Sequence, residues 1–197
     1  MQAFHLFTAD VRGDRRNTVY PRAVEINTLA QLQQAAQYDH VGAAFKDNRR
    51  QNEGFLWADC LIADVDNAAG DVVEPAQIAD DLPDVQHYIL FSRHHLLAKG
   101  TAPAVPRFHV LFPIDRTEDR EQLEGLKRAL CSRFPYYDAA CVDGARFFFG
   151  TECPQGGAVD GLFTLDEVLE TLRPKHRQRS TQRPPWRLSR RAAETTP

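Results

Sequence analysis

The feature that most constrains the fold of this chain is an apolar segment, FLWADCLIADVD at residues 55–66, that ends in two aspartates. Its nearly continuous apolar character is typical of a strand that is covered on both faces. Two further segments, HYILF at 87–91 and RFHVLFPI at 107–114, have the same character. The sequence therefore predicts a sheet whose central strands are buried.

Helical patterns flank these strands. NTLAQLQQAAQY near the N-terminus begins with residues that can cap a helix, and TEDREQLEGLKRALCSRF after the third strand places Leu123, Leu126 and Leu130 on one face. Helices combined with hairpin-like strand pairs favour an α+β fold with a mainly antiparallel sheet and flanking helices. We expect an N-terminal α/β unit at about residues 1–50 and a second unit at about 51–172.

The composition suits one packed domain, because 43% of the residues are apolar and 26% are charged. No apolar run approaches the ~20 residues that cross a bilayer, and the N-terminus reaches charged residues too early for a secretory signal. The four cysteines contain no CxxC pair, so neither a disulfide framework nor a zinc site is expected. These features predict a soluble cytoplasmic protein with reduced thiols and no membrane partner.

Charge is divided unevenly along the chain. Residues 173–197 contain eight basic residues and one acid, a net charge of +7, whereas the 16 basic and 26 acidic residues before them give −10. The basic segment contains several prolines and has almost nothing to bury, which predicts a disordered tail or a linker to a further domain. It is either a solvated tail without a function of its own or an extension that attracts the phosphates of a nucleic acid.

Three aspartates at strand ends are candidate metal ligands. Asp64 and Asp66 are separated by one residue, and the two-residue period of a strand places both carboxylates on one face, where they repel unless a cation lies between them. Hard divalent ions such as Mg²⁺ or Mn²⁺ prefer such oxygen ligands. Asp143 precedes another apolar segment, ARFFFG, and supplies a third carboxylate for a two-metal site. The alternative is that the acid pair is a solvated turn and that Asp143 is a turn residue before Gly144.

Basic residues lie close to these acids in the sequence. His109 shares a strand face with Arg107, and it is either a satisfied half-buried residue or a phosphate-binding group. The loops that precede the strands contain further polar and basic residues, namely Lys46, Arg49, Ser92, Arg93, His94, His95 and Lys99. Basic loops beside an acidic edge suit an anionic substrate next to a metal site, as in phosphoryl transfer, although ordinary surface charge gives the same pattern.

Taken in order, FKDNRRQNEGFLWADCLIADVDN, ILFSRHH, PRFHVLFPI and VDGARFFFG resemble the catalytic core of the archaeo-eukaryotic primase superfamily, most closely the primase-polymerases of phages, prophages and CRISPR-associated loci. That superfamily has three motifs: an acid-x-acid pair, a serine followed by a histidine, and a hydrophobic residue followed by an acid. The matching residues are Asp64 with Asp66, Ser92 with His109, and Val142 with Asp143. The resemblance covers about residues 46–150, and the ordered combination is far more specific than any one motif.

The resemblance implies a DNA primase or template-dependent DNA polymerase, a nucleotidyltransferase whose RRM-like antiparallel sheet carries the acids. By similarity, Asp64, Asp66 and Asp143 are the catalytic residues and hold two divalent ions, Mg²⁺ or Mn²⁺; a zinc module is not evident. The implied nucleotide-binding residues are His109, Ser92, Arg93, His95 and Arg107. Further contacts to the nucleotide or the template-primer are assigned to Lys46, Arg49 and Arg146.

Ser92 and His109 lie 17 residues apart, so His95 and His109 stay open as alternative phosphate contacts. The partners that the resemblance implies are a single-stranded DNA template, a primer and NTPs or dNTPs. A helicase, or another replication or CRISPR domain, is a further expectation for any chain that follows the C-terminus.

The residues leave two other classes of protein open. A non-catalytic module that binds single-stranded nucleic acid would use aromatic faces and the basic segment, but it leaves the three acids unexplained. A rolling-circle initiator would need metal-binding histidines and a tyrosine nucleophile, for which the candidates are His94, His95, His109, Tyr136 and Tyr137. Adjacent histidines on a strand point to opposite sides, which disfavours this class.

Overall fold

The computed structural model describes residues 1–68 and 71–171, so the basic segment predicted at 173–197 lies outside the described residues. The chain begins with β1 (Phe4–Thr8), β2 (Arg22–Ile26), α1 (Leu29–Ala35), β3 (His40–Val41) and β4 (Ala44–Phe45). It continues with β5 (Phe55–Val65), α2 (Pro75–Asp81), β6 (His87–Phe91), β7 (Phe108–Thr117) and α3 (Arg120–Arg133). The last elements are a 3₁₀ turn (Ala139–Val142), β8 (Phe147–Phe148), β9 (Gly156–Val159) and α4 (Leu165–Thr171).

The strands form two sheets in which neighbouring strands are antiparallel. The smaller sheet has the order β2-β1-β3-β8 and the larger has the order β4-β5-β7-β6-β9. In the larger sheet β7 lies between β5 and β6, which α2 connects, and this is the split β-α-β arrangement of ferredoxin-like sheets. The α+β fold with a mainly antiparallel sheet that the sequence predicts is confirmed.

The segment HVGAAFK at 40–46 predicts one strand but forms two, β3 in the smaller sheet and β4 in the larger. The break lies at Gly42, where a Cβ atom would lie 3.1 Å from the carbonyl oxygen of Cys60 and 3.2 Å from side-chain atoms of Ile62. So close an approach to β5 favours a residue without a side chain. The chain therefore passes from one sheet to the other beside β5 and joins the two.

Alternate residues of β5 belong to two apolar clusters, as expected for a strand that is covered on both faces. Leu61, Ala63 and Val65 lie in one cluster, whereas Cys60 and Ile62 lie in the other. The three leucines predicted to share a face of α3 are buried in the first cluster, where α3 packs against β5. Among the described residues, none of the helices has the length and apolar character needed to cross a bilayer.

Asp39 ties three segments together beside the smaller sheet. It is fully buried, and its carboxyl oxygens accept hydrogen bonds from the backbone N–H groups of Gly13 at 2.8 Å, Asp14 at 2.9 Å and Gly150 at 2.8 Å. Gly150 packs so closely on the turn after α1 that a Cβ atom would lie 2.6 Å from the carbonyl oxygen of Gln37. Asp39 therefore holds the loop after β1 and the end of the β8 segment in place.

Asp39→Ala should lower the free energy of unfolding by about 2–4 kcal/mol, because it removes the acceptors of three backbone N–H groups. Urea-induced unfolding followed by circular dichroism measures the change. Asp10→Ala is the matched control, since the Asp10 carboxylate is 58% exposed and pairs with the exposed Arg22, so its loss should cost less than about 0.5 kcal/mol. Equal losses in the two variants would show that the Asp39 hydrogen bonds do not stabilise this junction.

Candidate active site

The acid pair predicted from the sequence lies where β5 ends beside β7. Asp64 is the register partner of His109, and the Nε2 atom of His109 lies 3.6 Å from Asp64 Oδ1. Ala63 and Val65 belong to the apolar core, so the two-residue period of β5 turns Asp64 to the opposite side. Asp66 follows directly after the strand. The pairing of β5 with β7 thus brings a carboxylate and an imidazole together.

A cavity of about 320 Å³ opens beside this pair. Six of the predicted site residues line it, namely Asp64, Asp66, Ser92, Arg93, His109 and Arg146. The other lining residues are Arg15, His94, Lys99, Phe147, Phe148 and Phe149. The lining thus contains four Lys and Arg side chains against two carboxylates, so the cavity favours a ligand with several negative charges. Arg15 is the cation that the sequence did not indicate, since it lies far from the motifs in the chain.

Aromatic rings and guanidinium groups stack at one side of the cavity. The guanidinium carbon of Arg93 lies 3.6 Å from the centroid of the Phe149 ring, and that of Arg50 lies 4.7 Å from the centroid of Phe147. The two phenylalanine rings contact each other, with centroids 4.9 Å apart. Such surfaces stack planar groups without depending on their hydrogen-bonding pattern.

Asp66 is held by two cations of different kinds. Lys99 Nζ lies 2.8 and 3.1 Å from the two carboxylate oxygens, and Arg107 Nε lies 3.1 Å from Asp66 Oδ1. Arg107 is 1% exposed, and its other guanidinium nitrogens donate to the carbonyl oxygens of His94, Leu97 and Pro103. The Arg107 side chain, which the resemblance assigns to nucleotide binding, thus supports the loop of residues 93–106 and does not line the cavity.

The two histidines that the sequence left as alternatives differ in position. His95 stacks on Phe91 with ring centroids 4.0 Å apart, and its Nδ1 atom lies 3.3 Å from both the backbone nitrogen and the carbonyl oxygen of Arg107. It does not line the cavity, whereas His109 does. Of the two, only His109 faces the space beside the acids.

Lys46 and Arg49, predicted to contact the nucleotide or the template-primer, are exposed and lie outside the cavity lining. Their neighbour Arg50 contacts the site instead, because it donates to the carbonyl oxygen of Ala145 at 3.1 Å and covers Phe147. The structure does not bring Lys46 or Arg49 to the acids.

A third acid does lie beside Asp64, and it is Asp138. Carboxylate oxygens of Asp64 and Asp138 and the sulfur of Cys141 all lie within 4.8 Å of one another. The backbone N–H of Asp138 donates to the carbonyl oxygen of Asp64 at 2.8 Å, and Asp138 Oδ1 accepts from Ala140 to cap the 3₁₀ turn. This Asp-Asp-Cys group, with two half-buried aspartates and a buried cysteine, has the composition and spacing of a metal site.

Asp143, the third acid predicted from the sequence, is not part of that group. It is exposed, and its Oδ1 accepts a hydrogen bond from the backbone N–H of Ala145 at 2.9 Å, as in an Asx turn. In the structure Asp138, and not Asp143, is therefore the third acid that lies beside Asp64. The motif of a hydrophobic residue before an acid fits two places in the sequence, Tyr137 with Asp138 and Val142 with Asp143.

Burial controls protonation in the site. Burial first, and then the charge of Asp66, raises the pKa of Asp64 to about 6. Burial, with Arg146 nearby, lowers the pKa of His109 to about 4, so its imidazole is neutral at pH 7 and its contact with Asp64 is not an ion pair. Burial also raises the pKa of the Cys141 thiol to about 12.

Asp64→Asn should stabilise the metal-free protein by roughly 2–3 kcal/mol at about pH 8 and by much less near pH 4. The pKa of Asp64 is raised from 3.8 to about 6 in the folded state, so between these pH values the folded protein holds a proton that the unfolded chain has lost. The free energy of unfolding therefore falls as the pH rises through this range. Thermal unfolding in a chelator at both pH values measures this. Asp115→Asn, at an exposed carboxylate, is the control, and an equal gain for Asp64→Asn at both pH values would contradict the prediction.

No protein-family model matches this chain, and no curated protein matches its sequence significantly. Among solved structures, the chain is similar to the AEP domain of the primase-polymerase (PrimPol) of cyanophage S-2L. The similarity has a TM-score of 0.50 at 14% sequence identity and covers 86% of this chain and 89% of that chain. At this identity the likeness concerns the fold, which is the fold implied by the motifs at Asp64, Asp66 and His109. The chain thus shares the fold of that AEP domain.

Proposed function

We propose that this chain is a template-dependent primase-polymerase, a nucleotidyltransferase that joins nucleotides and releases pyrophosphate. The observation that carries the proposal is that Asp64 and Asp66, at the end of β5, line a cavity with more cationic than anionic side chains, and that Asp138 lies next to Asp64. Phosphoryl transfer needs this combination, since carboxylates hold metal ions and cationic groups hold the phosphates. The fold shared with a primase-polymerase domain supports the same activity.

The acids fit a pair of divalent ions, Mg²⁺ or Mn²⁺. Asp64 and Asp66 repel each other, and Lys99 and Arg107 already supply positive charge to Asp66. Asp64, Asp66 and Asp138 would hold the ions, which lower the pKa of an attacking 3′-hydroxyl and neutralise the leaving phosphates when bound. A protein nucleophile is not required by this chemistry.

The remaining lining residues bind and orient the nucleotide. Lys99 and Arg146 hold the phosphates, and Arg15 adds charge from the loop that Asp39 fixes. The neutral imidazole of His109 retains one N–H group, which it donates to a phosphate oxygen. The Arg93 and Phe149 pair offers a flat surface for a base, and this surface tolerates all four bases because every base has an aromatic face.

The partners in this proposal are a single-stranded DNA template, a primer and NTPs or dNTPs. The basic residues of 173–197 favour association with nucleic acid through their charge. A helicase or another replication or CRISPR domain is the associated activity that the resemblance suggests.

Asp138→Asn should abolish nucleotide incorporation, whereas Asp143→Asn should retain most of it. Asp138 lies beside Asp64, and Asp143 is an exposed turn residue of the same chemical type five positions away, which makes the two a matched pair. The assay combines a single-stranded template, labelled NTPs or dNTPs, and Mg²⁺ or Mn²⁺, with and without a primer. Products are resolved on a sequencing gel, with Asp64→Ala as the inactive reference.

Loss of activity in Asp143→Asn with retention in Asp138→Asn would return the third metal ligand to Asp143. If wild-type protein gives no product with either metal and any nucleotide, the polymerase proposal fails. Product that forms without a primer would make the enzyme a primase, and product that needs a primer would make it a polymerase.

His109→Asn should raise the KM for the nucleotide by about tenfold and leave the affinity for the template unchanged. The reason is that His109 lines the cavity, whereas His95 stacks on Phe91 outside it. His95→Asn is the control and should leave the nucleotide KM within about twofold of wild type. Steady-state kinetics and fluorescence anisotropy of a labelled template measure the two quantities, and a larger effect in His95→Asn would reverse the assignment.

A second candidate function is non-catalytic binding of single-stranded nucleic acid, which the stacked Arg and Phe side chains favour. Binding of that kind would survive chelation of divalent ions, whereas incorporation would not. The rolling-circle class has less support, because Tyr137 is buried, the hydroxyl of Tyr136 donates to Asp81 at 3.1 Å, and neither tyrosine lines the cavity.

A further inference from the structure

The Asp-Asp-Cys group differs from an all-oxygen metal site because one of its three donor atoms is sulfur. Cys141 is 3% exposed, and its sulfur lies within 4.8 Å of carboxylate oxygens of both Asp64 and Asp138. Metal ions bind carboxylate oxygen at ~2.0–2.2 Å and thiolate sulfur at ~2.3 Å, so modest side-chain movements bring all three donors onto one ion. The other two thiols in this part of the core, Cys60 and Cys131, are outside the group.

The backbone holds the three donors in register. Asp138 is tied to Asp64 by the 2.8 Å backbone hydrogen bond, and the N–H of Cys141 donates to the carbonyl oxygen of Asp138 at 3.0 Å. The Asp138 cap on the 3₁₀ turn fixes where Cys141 lies on that turn. The sulfur is therefore presented to the carboxylates by the same turn that positions Asp138.

His109 provides an independent indication of a ligand beside this group. Its side chain is 9% exposed, and its Nε2 atom is directed at Asp64 Oδ1 from 3.6 Å, too far for a hydrogen bond. A water or phosphate oxygen carried by an ion on Asp64 would give Nε2 the hydrogen-bond partner that the carboxylate itself does not provide.

The identity of the donors sets the class of metal. Carboxylates suit Mg²⁺, Ca²⁺ and Mn²⁺, whereas thiolates select softer ions, and affinity along the first-row series rises from Mn²⁺ towards Co²⁺ and beyond. A buried thiol gives little to Mg²⁺, which prefers oxygen ligands. One sulfur and two oxygens therefore favour ions of intermediate softness.

We propose that Cys141 is a metal ligand and that Asp64, Asp138 and Cys141 form a mixed carboxylate-thiolate site that prefers thiophilic divalent cations such as Co²⁺, Zn²⁺ or Cd²⁺ over Mg²⁺. The thiol proton leaves to solvent when the ion binds, and the charge of the ion stabilises the thiolate. The proposal deepens the proposed function, since it rests on Asp64 and Asp138 being metal ligands of the active site. It sets which metal the site retains when several are present.

Co²⁺ titration of the reduced 197-residue chain tests this inference. Each protein carries Cys153→Ser, which removes the exposed thiol at a position outside the site. We expect a sulfur-to-cobalt charge-transfer band in the near ultraviolet that is present in this parent and absent from Cys141→Ala and Cys141→Ser. Cys131→Ser is the matched control, because it alters a partly buried thiol outside the group, and it should keep the band.

The affinities for Co²⁺ and Mg²⁺ provide a second measurement. Cys141→Ser should weaken Co²⁺ binding by at least about tenfold and leave Mg²⁺ binding within about twofold, as measured by competition with a metal-sensitive dye. Circular dichroism checks that the variants are folded, and Cys141→Ser keeps the size of the side chain if Cys141→Ala does not fold. A parent without the band, a band that persists in both Cys141 variants, or equal Co²⁺ affinity in parent and Cys141→Ser would each overturn the proposal.

These outcomes are separable from those of the polymerase proposal. Asp64-dependent incorporation with Mg²⁺ but without the charge-transfer band would leave the polymerase standing and remove Cys141 from the site. A Cys141-dependent band without incorporation under any metal would establish the mixed site and remove the polymerase activity.

Discussion

The pairing of β5 with β7 is the interaction on which the site depends. It buries both strands in the sheet, and its register puts Asp64 directly opposite His109. Alternation along β5 then places Asp64 on the face opposite Ala63 and Val65, where its carboxylate lines the cavity. The free energy from burying the strands thus holds a carboxylate at a depth where its pKa rises to about 6. The burial that stabilises the sheet therefore opposes metal binding at Asp64, because it penalises the charged form of the carboxylate that a cation would need.

Positively charged side chains around the site offset part of the free-energy penalty of burying the carboxylate. Arg146 acts on Asp64, whereas Lys99 and Arg107 act on Asp66, and these cations come from three different segments of the chain. Arg15 reaches the same cavity from a loop that is held by the buried carboxyl of Asp39. The smaller sheet is therefore part of the site, since it supplies the loop and the turn on which Arg15 and the Phe149 segment depend.

The parts of the site that could be predicted from the sequence are those set by local periodicity. The strand ending in Asp64 and Asp66, and the position of His109 on the neighbouring strand, follow from the two-residue alternation of apolar segments. The choice between Asp138 and Asp143 could not be made this way, because the two acids flank a four-residue 3₁₀ turn, and which of them lies beside β5 depends on how that turn folds. The contacts of Arg107 could not be predicted either, because this side chain donates to loop carbonyl groups that no side-chain pattern encodes.

The Asp66 carboxylate is held in place by two cationic side chains and still lines the cavity. Arg107 is 1% exposed and is fixed by loop carbonyls, so it holds one side of Asp66 permanently. Lys99 is 48% exposed on the other side, and an ion pair of that kind contributes at most about 1 kcal/mol. Replacing the Lys99 ammonium with another cation therefore costs little, whereas displacing Arg107 would disrupt the loop. The buried Arg107 therefore fixes the position of the Asp66 carboxylate, and the exposed Lys99 leaves open the side that faces the cavity.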